Sequence, residues 1–207
     1  GSYGFKLNNT YLQFQDCPGV LDLSNCRFKV IGEIPLKYHK FSEIIMRNAK
    51  VTGTIKGFFI RGGGVNSLVK VDLTGIDTST VTDFSGMFNG CKNLTTIIGI
   101  EDLDLSSATT LASMFRDCIS LQSLDLSSWN VSRVTSTTSM FNGCTSLQSL
   151  NLSNWDISRV FSISAMFYNC SSLQSLDLSS WKVSSIDSTN NMFYGCTSLQ
   201  SLNLSNW

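Results

Sequence analysis

The chain has 207 residues, of which 42% are apolar and 14% are charged, and its formal net charge is zero. The apolar share is enough for a continuous core, whereas the charged share is well below the roughly 25% that is usual in soluble domains. The chain contains neither a long unbroken apolar stretch nor a compact basic run. We therefore expect no membrane-spanning helix and no nucleic-acid partner.

Residues 1–64 show no internal repeat and lie in the positively charged part of the chain. Residues 1–70 hold ten Lys or Arg against four Asp or Glu, a balance of +6, whereas residues 71–207 hold five against eleven, a balance of −6. This asymmetry indicates two differently built segments; the alternative is a basic docking patch near the N-terminus. Residues 1–64 are predicted to form an N-terminal capping region that shields the core of the following segment from water.

Short strands are expected in this capping region, because apolar runs alternate there with turn-forming dipeptides. Turns are predicted at Asn8-Asn9 and Pro18-Gly19, and three glycines at 62–64 mark the join to the next segment. Cys17 and Cys26 are a candidate disulfide if the protein is exported. The apolar residues that suggest strands are Phe5, Leu7, Tyr11, Leu12, Phe14, Val20, Leu21, Leu23, Phe28, Val30 and Ile31.

From residue 65 onward, three markers recur with one period. The pair Met-Phe begins at residues 87, 114, 140, 166 and 192, with intervals of 27, 26, 26 and 26, and a Cys follows four residues after each Met. Trp recurs at 129, 155, 181 and 207, again every 26 residues. Each unit contains L-x-x-L-x-L, as in Leu121, Leu124 and Leu126, which is the strand segment of a leucine-rich repeat.

This spacing predicts an α/β-type repeat solenoid over residues 65–207. Alternation along each strand sends the leucines inward, so stacked strands form a parallel sheet on the concave face, with short helical or irregular segments on the convex face. The unit after Cys91 has one additional residue, and we expect a bulge at Ile98 or Gly99. The array is expected to be cut at Trp207, in the middle of a unit, and its apolar end predicts end-to-end self-association.

The string M-F-x-x-C-x-S-L-x-x-L-(D/N)-L-S-x-W, over about residues 65–207, resembles the BspA-like leucine-rich repeats, also called the bacterial surface protein 26-residue repeat. The resemblance implies an extracellular or cell-surface protein. It also implies adhesion to a protein or glycan ligand on a host or neighbouring cell. The family brings no shared catalytic residues that could be transferred to this chain.

In a solenoid, each repeat position becomes a column of side chains spaced by about 4.8 Å. The Cys column is interpreted as small buried hydrophobes and not as a metal site, because zinc needs four ligands that converge on one point. The Trp column is interpreted as a core stack; the alternative is an exposed platform for sugars or peptides. Gly, Asp or Asn precedes each Cys, which predicts a left-handed backbone conformation there. We expect no metal and no cofactor.

The candidate ligand-binding residues are the outward strand positions of the four most regular units. Asp and Asn alternate in the central column, which keeps carboxylates about 9.6 Å apart and disfavours a shared calcium ion. The face has no Trp, Tyr or Arg anchor, so it is either a weak multivalent binding surface or a solvated face. Phe161, Tyr168 and Tyr194 are alternative anchors on the convex or lateral side. The candidates are Ser123, Asp125, Ser127, Ser149, Asn151, Ser153, Ser175, Asp177, Ser179, Ser201, Asn203 and Ser205.

The predicted function is therefore a surface binding module. One alternative is a structural spacer that displays another domain, and a remote one is ice or crystal-surface binding through the regular Ser and Thr columns. Catalysis is not expected, because the single histidine, His39, has no recognisable partner motif and a nucleophile needs an adjacent base.

Overall fold

The computed structural model describes residues 4–7, 17–31, 36, 40–60 and 67–207. The predicted Asn8-Asn9 turn, the apolar residues at 11, 12 and 14, His39 and the glycines at 62–64 lie outside these residues. The described chain is a parallel-strand β-solenoid of about seven turns with almost no helix, which confirms the predicted repeat solenoid. The strands are β1 (Gly4–Leu7), β2 (Pro18–Asp22), β3 (Arg27–Val30), β4 (Lys40–Ile45), β5 (Lys50–Gly53), β6 (Lys70–Asp72), β7 (Thr96–Ile98), β8 (Ser123–Asp125), β9 (Ser149–Asn151), β10 (Ser175–Asp177) and β11 (Ser201–Asn203).

We call each turn of the solenoid a rung. One strand of each rung lies on the concave face. The strands form a four-stranded sheet in the order β2-β4-β6-β7 and two further pairs, β8-β9 and β10-β11, all parallel. Register is kept position by position, so that Leu124 lies opposite Leu150 and Asp125 opposite Asn151. Each of β8, β9 and β10 is exposed, buried, exposed along its three residues, as expected for a strand with one face on the core.

The convex face consists of turns that are joined by isolated bridges, including Thr110–Ser136 and Ser162–Ser188. Backbone hydrogen bonds run between rungs there: the Phe115 N–H, for example, donates to the Met140 carbonyl at 2.9 Å. This inter-rung pairing replaces helical hydrogen bonding. Within the described ranges the one helix is a 3-10 turn at Ile100–Asp102, directly after β7. Of the two expected kinds of convex segment, the irregular one is therefore observed.

The described residues before 61 continue the same stack. β4 pairs with β6 in parallel, and Phe59 stacks on Phe88 with ring centroids 4.9 Å apart. The expected turn at Pro18-Gly19 is wrong: both residues belong to β2, and the chain irregularity there is a register shift between Gly19 and Val20. A glycine with φ of +92° lets the strand absorb this shift without ending.

The additional residue of the Cys91 unit is accommodated after β7. Gly99 has φ of +70°, and a Cβ at this position would lie 2.6 Å from the Thr74 nitrogen. The strand itself stays in register with β6 through Ile98. The expected irregularity is thus located at Gly99, where a left-handed glycine and the following 3-10 turn take up the extra length.

Two aromatic columns run along the core. Successive Trp rings from Trp129 to Trp207 stack at centroid distances of 6.3, 6.2 and 6.3 Å, and Trp129, Trp155 and Trp181 are 3%, 2% and 1% exposed. The Trp155 Nε1–H donates to the Leu126 carbonyl at 2.9 Å, which satisfies the one polar atom of the indole. The Trp column is therefore a core stack, as predicted, and not an exposed platform.

The Cys column is also internal. Each buried thiol donates to the carbonyl of a Phe in the preceding rung, as from Cys144 to Phe115 at 3.1 Å and from Cys170 to Phe141 at 3.1 Å. Burial raises the pKa of Cys144 to about 12, so this thiol is neutral at physiological pH. No disulfide joins Cys17 to Cys26.

Two columns of left-handed residues close the turns on the convex side. The predicted column, directly before each Cys, is confirmed, with φ values of 73, 58, 77, 57 and 75° from Gly90 to Gly195. A second column lies directly before the Met of each Met-Phe pair, and before Phe58 in the preceding rung. It was not predicted, because Ser and Ala occupy several of its positions. Its members are Gly57, Gly86, Ser113, Ser139, Ala165 and Asn191.

Candidate ligand-binding face

The twelve candidate residues lie together on the concave face, in β8 to β11 and the turn after each strand. The Ser that opens each strand and the Asp or Asn that closes it are exposed in all four strands. The Leu between them points to the core: Leu124, Leu150 and Leu176 are at most 8% exposed. A fourth exposed column, which the sequence analysis missed, is the Gln directly before each strand, at positions 122, 148, 174 and 200.

The side chains of the Asp/Asn column face solvent and also form hydrogen bonds that end each strand. The Asp125 Oδ1 accepts hydrogen bonds from the Ser127 backbone N–H at 3.0 Å and from the Ser127 hydroxyl at 2.7 Å. The same side-chain-to-backbone bond links Asn151 to Ser153 at 3.1 Å. These Asx turns end each strand and hold the outward side chains in one orientation.

The carboxylates of this column are stabilised in the ionised form. Hydrogen bonds from the Ser127 hydroxyl and backbone N–H lower the pKa of Asp125, and the equivalent bonds from Ser179 lower the pKa of Asp177. The Asn203 Nδ2 also donates to the Asp177 Oδ2 at 3.3 Å. The Asp/Asn alternation therefore supplies a hydrogen-bond donor to each carboxylate in addition to separating like charges.

Three basic residues of the N-terminal rungs, Arg47, Lys50 and Lys70, form ion pairs across rungs. Arg47 binds Asp72 at 2.6 Å, and the Asp72 side chain is only 1% exposed. Burial acts to raise the pKa of Asp72, but hydrogen bonds from Arg47 and Thr74 outweigh it and lower the pKa overall. Lys70 pairs with Glu43 at 2.8 Å. These pairs reduce the positive charge that an N-terminal basic patch would offer to a partner.

Two grooves interrupt the concave face, one between β7 and β8 and one between β9 and β10. The second has a volume of about 320 Å³ on the concave side, where Asn151, Ser153, Ser175 and Asp177 are among its lining residues. A further volume of about 280 Å³, lined by Asp156 and Lys182 among others, lies at the turn between the same two rungs. Ser180 lines both volumes, which therefore adjoin, and we describe them together as one groove.

The convex or lateral side carries the exposed aromatic residues. Tyr168 and Tyr194 stack with centroids 4.9 Å apart, and Tyr194 is 62% exposed. Phe161 is 49% exposed. These rings are the strongest alternative to the concave face as a contact surface.

Neither a metal centre nor a membrane span is found in the part of the chain that the structure describes. Among the described residues, no three His, Cys, Asp or Glu side chains are grouped so that they could hold a metal ion. The same part of the chain includes no helix that is long and apolar enough to cross a membrane.

The stacked parallel strands and repeated leucine columns define a repeat protein of leucine-rich-repeat type. The family described as "Mycoplasma protein of unknown function, DUF285" matches residues 63–151 and 126–207. Together these matches cover most of the chain, so the chain belongs to this family. The matches support a leucine-rich-like repeat family, and the narrower BspA-like resemblance stays a prediction.

A search of solved structures finds a chain described as "Crystal structure of TLR13-ssRNA13 complex", with 16% sequence identity and a TM-score of 0.33. The match covers 87% of this chain and 36% of the other, so this chain spans about a third of that protein's length. No curated protein matches the sequence.

Proposed function

We propose that the chain is a non-catalytic binding module that recognises a partner through the concave face of its repeats. The observation that carries this proposal is the fixed orientation of the outward polar column, in which Asx turns hold Asp125, Asn151, Asp177 and Asn203. A surface that is already ordered loses little side-chain entropy when a ligand binds. The predicted extracellular or cell-surface location and the adhesive role, to a protein or glycan of another cell, belong to this proposal and rest on the BspA-like resemblance.

Each rung offers only short polar side chains, so a single contact is weak. Several rungs must therefore engage one ligand at the same time, and affinity then rises by multivalency. This requirement favours an elongated ligand or a repeated epitope over a small molecule.

The test compares two double variants of the purified chain. Ser123→Arg with Ser149→Arg places two long cations on exposed concave positions, and Thr82→Arg with Thr109→Arg places two on exposed convex positions. Binding to immobilised extracellular-matrix proteins and to a glycan array is measured by biolayer interferometry and fluorescence. We expect only the concave variant to lose binding. Loss in the convex variant alone would place the contact surface on the other side.

A structural spacer is the second candidate function. It is favoured by the convex bridges, which run without a break from Asp83 through Thr110, Ser136 and Ser162 to Ser188. A chain that binds none of the probes, while a neighbouring domain of the full-length protein binds, would support the spacer instead.

A further inference from the structure

The last four concave strands are paired two by two. β8 pairs with β9 and β10 with β11, whereas no ladder joins β7 to β8 or β9 to β10. On the convex side, the two rungs that contain β9 and β10 stay connected: the Ile163 N–H donates to the Ser188 carbonyl at 3.0 Å and the Phe167 N–H to the Met192 carbonyl at 3.0 Å. These rungs therefore lack backbone pairing between their strands but keep it on the convex side.

The Trp column stays stacked across the unpaired junctions, with 6.2 Å between the Trp155 and Trp181 ring centroids and a hydrogen bond from the Trp129 Nε1–H to the Ile100 carbonyl at 2.9 Å. The Trp155 and Trp207 Nε1 atoms donate to Leu126 and Leu178 carbonyls at 2.9 and 3.1 Å, each across a paired junction. The Nε1 of Trp181, which faces the junction between β9 and β10, is the one buried side-chain nitrogen or oxygen in the described residues without a hydrogen-bond partner.

Side-chain amides add hydrogen bonds across the β10–β11 junction that the β9–β10 junction does not have. At the β10–β11 junction, the Asn203 Nδ2 donates back to Asp177 at 3.3 Å and the Asn206 Nδ2 donates back to the Ser179 carbonyl at 2.7 Å. At the β9–β10 junction, the corresponding residues are Asp177 and Ser180. An ionised carboxylate only accepts hydrogen bonds, so it supplies no amide donor to the preceding rung.

The open junction is the groove described above, defined by residues 150–158 and 175–182. Its walls carry amide, hydroxyl and carboxylate groups, one ammonium group at Lys182, and the facing edges of β9 and β10, which form no ladder with each other. Hydrogen bonds from Ser179 lower the pKa of Asp177, and those from Ser158 lower the pKa of Asp156. At neutral pH the groove thus holds two carboxylates against one cation, which disfavours anionic ligands.

We propose that this groove binds a neutral carbohydrate chain, an inference that rests on the proposed concave-face function. Sugar hydroxyls both donate and accept, which matches walls rich in carboxylate and amide acceptors and in edge-strand backbone groups. The groove presents no exposed Trp, Tyr or Arg side chain, so its contacts with a sugar are hydrogen bonds and not ring stacking.

A second groove of the same kind fixes the orientation of the ligand. The groove between β7 and β8 has a volume of about 290 Å³, and Thr96, Glu101, Ser123 and Asp125 are among its lining residues. The two grooves are two rungs apart, or about 9.6 Å. This distance is comparable with one disaccharide unit of an extended polysaccharide. A chain that runs along the solenoid axis therefore places successive disaccharides in successive grooves.

The experiment uses neutral cello- and chito-oligosaccharides of increasing length, with heparin oligosaccharides as the anionic comparison, in titration calorimetry and amide NMR. We expect hexasaccharides to bind at least about tenfold more tightly than disaccharides, because they span both grooves. The chemical shifts that move should be those of residues 150–154 and 175–182 in one groove and of residues 95–101 and 121–125 in the other.

Two variants locate the site. Ser175→Arg fills the groove, and Ser201→Arg is its matched control, at the same exposed strand position in the closed β10–β11 junction. In the β10–β11 junction, the Asn206 amide donates to the Ser179 carbonyl. Ser180→Asn places an amide at the corresponding position of the β9–β10 junction and so narrows the groove without adding charge. We expect at least about tenfold weaker binding for Ser175→Arg and Ser180→Asn, a clearly smaller loss for Ser201→Arg, and unchanged binding for Thr109→Arg on the convex side, with thermal unfolding as the check on folding.

The outcomes separate this inference from the function on which it rests. Equal loss in Ser175→Arg and Ser201→Arg would overturn the groove and leave a diffuse concave surface. Binding of proteins but of no neutral oligosaccharide, or a preference for heparin, would also overturn it, while the concave-face function would stand. Absence of concave-face binding to every probe would remove both.

Discussion

Replacing Ala165 by glycine should stabilise the protein, although the change removes a methyl group. Ala165 has φ of 53° in the unpredicted left-handed column. An L-residue in this conformation loses about 1–2 kcal/mol relative to the right-handed region. The greater freedom of glycine in the unfolded chain offsets about 0.4–1 kcal/mol of that gain. The difference of the two midpoints is an increase in the free energy of unfolding of about 0.8 kcal/mol.

The packing at this column supports a backbone origin for the effect. At Gly86, in the same column, a Cβ would lie 3.5 Å from the Asn89 Cβ and 3.7 Å from the Ile60 Cδ1, which are ordinary contacts. The methyl group of Ala165 is therefore tolerated by its neighbours, and the unfavourable energy lies in φ.

Ala112 provides the matched control, because it is also half-buried but does not lie in the left-handed region. Ala112→Gly should lower stability by about 0.5–1 kcal/mol. For a domain of this size, differential scanning calorimetry should show melting shifts of about 1–4 °C in opposite directions. If Ala165→Gly lowers the melting temperature as Ala112→Gly does, the argument from backbone strain is wrong.

Three further predictions concern the core, the turns and pH. Trp155→Phe should cost about 2–3 kcal/mol, because it removes ring volume and one of the two hydrogen bonds to the Leu126 carbonyl. Trp207→Phe, at a position that is 38% exposed, should cost less than half as much in urea unfolding. Gly143→Ala should destabilise more than Gly90→Ala, because a Cβ at 143 would collide with a carboxylate and one at 90 meets nothing within 4 Å. Hydrogen bonds from Lys50 and Ser79 lower the pKa of Asp77 to about 2. The ionised carboxylate therefore adds to the free energy of unfolding above pH 3.8, and this stabilisation is lost as the pH falls toward 2. Asp77→Asn should remove this part of the pH dependence of the urea midpoint.

Each of these predictions has a distinct contrary result. Equal losses at the two tryptophans would mean that burial does not determine the contribution of the column. Equal effects at the two glycines would mean that backbone conformation outweighs the steric contact. An unchanged pH profile in Asp77→Asn would show that other acidic groups control acid unfolding.

The buried columns were predictable because every rung meets nearly the same neighbours. A residue that recurs every 26 positions occupies the same place in each rung. The Cys column and the Trp column could therefore be assigned to the core from their apolar character and spacing alone. The left-handed position before Cys was visible because Gly and Asn occupy it at Gly143 and Asn169. The equivalent position before Met was not, since Ser139 and Ala165 give no such compositional signal.

The sequence by itself determined which residues face inward, because periodicity and alternation decide that rung by rung. It also displayed the Asp/Asn alternation, which alone indicates only the separation of like charges. The tertiary structure decided what this alternation does: Asn203 donates to Asp177, whereas no such donor closes the junction before it. The physical reason is that hydrogen bonds between rungs join residues about 26 positions apart, and their direction depends on which donors face which acceptors once the rungs are stacked.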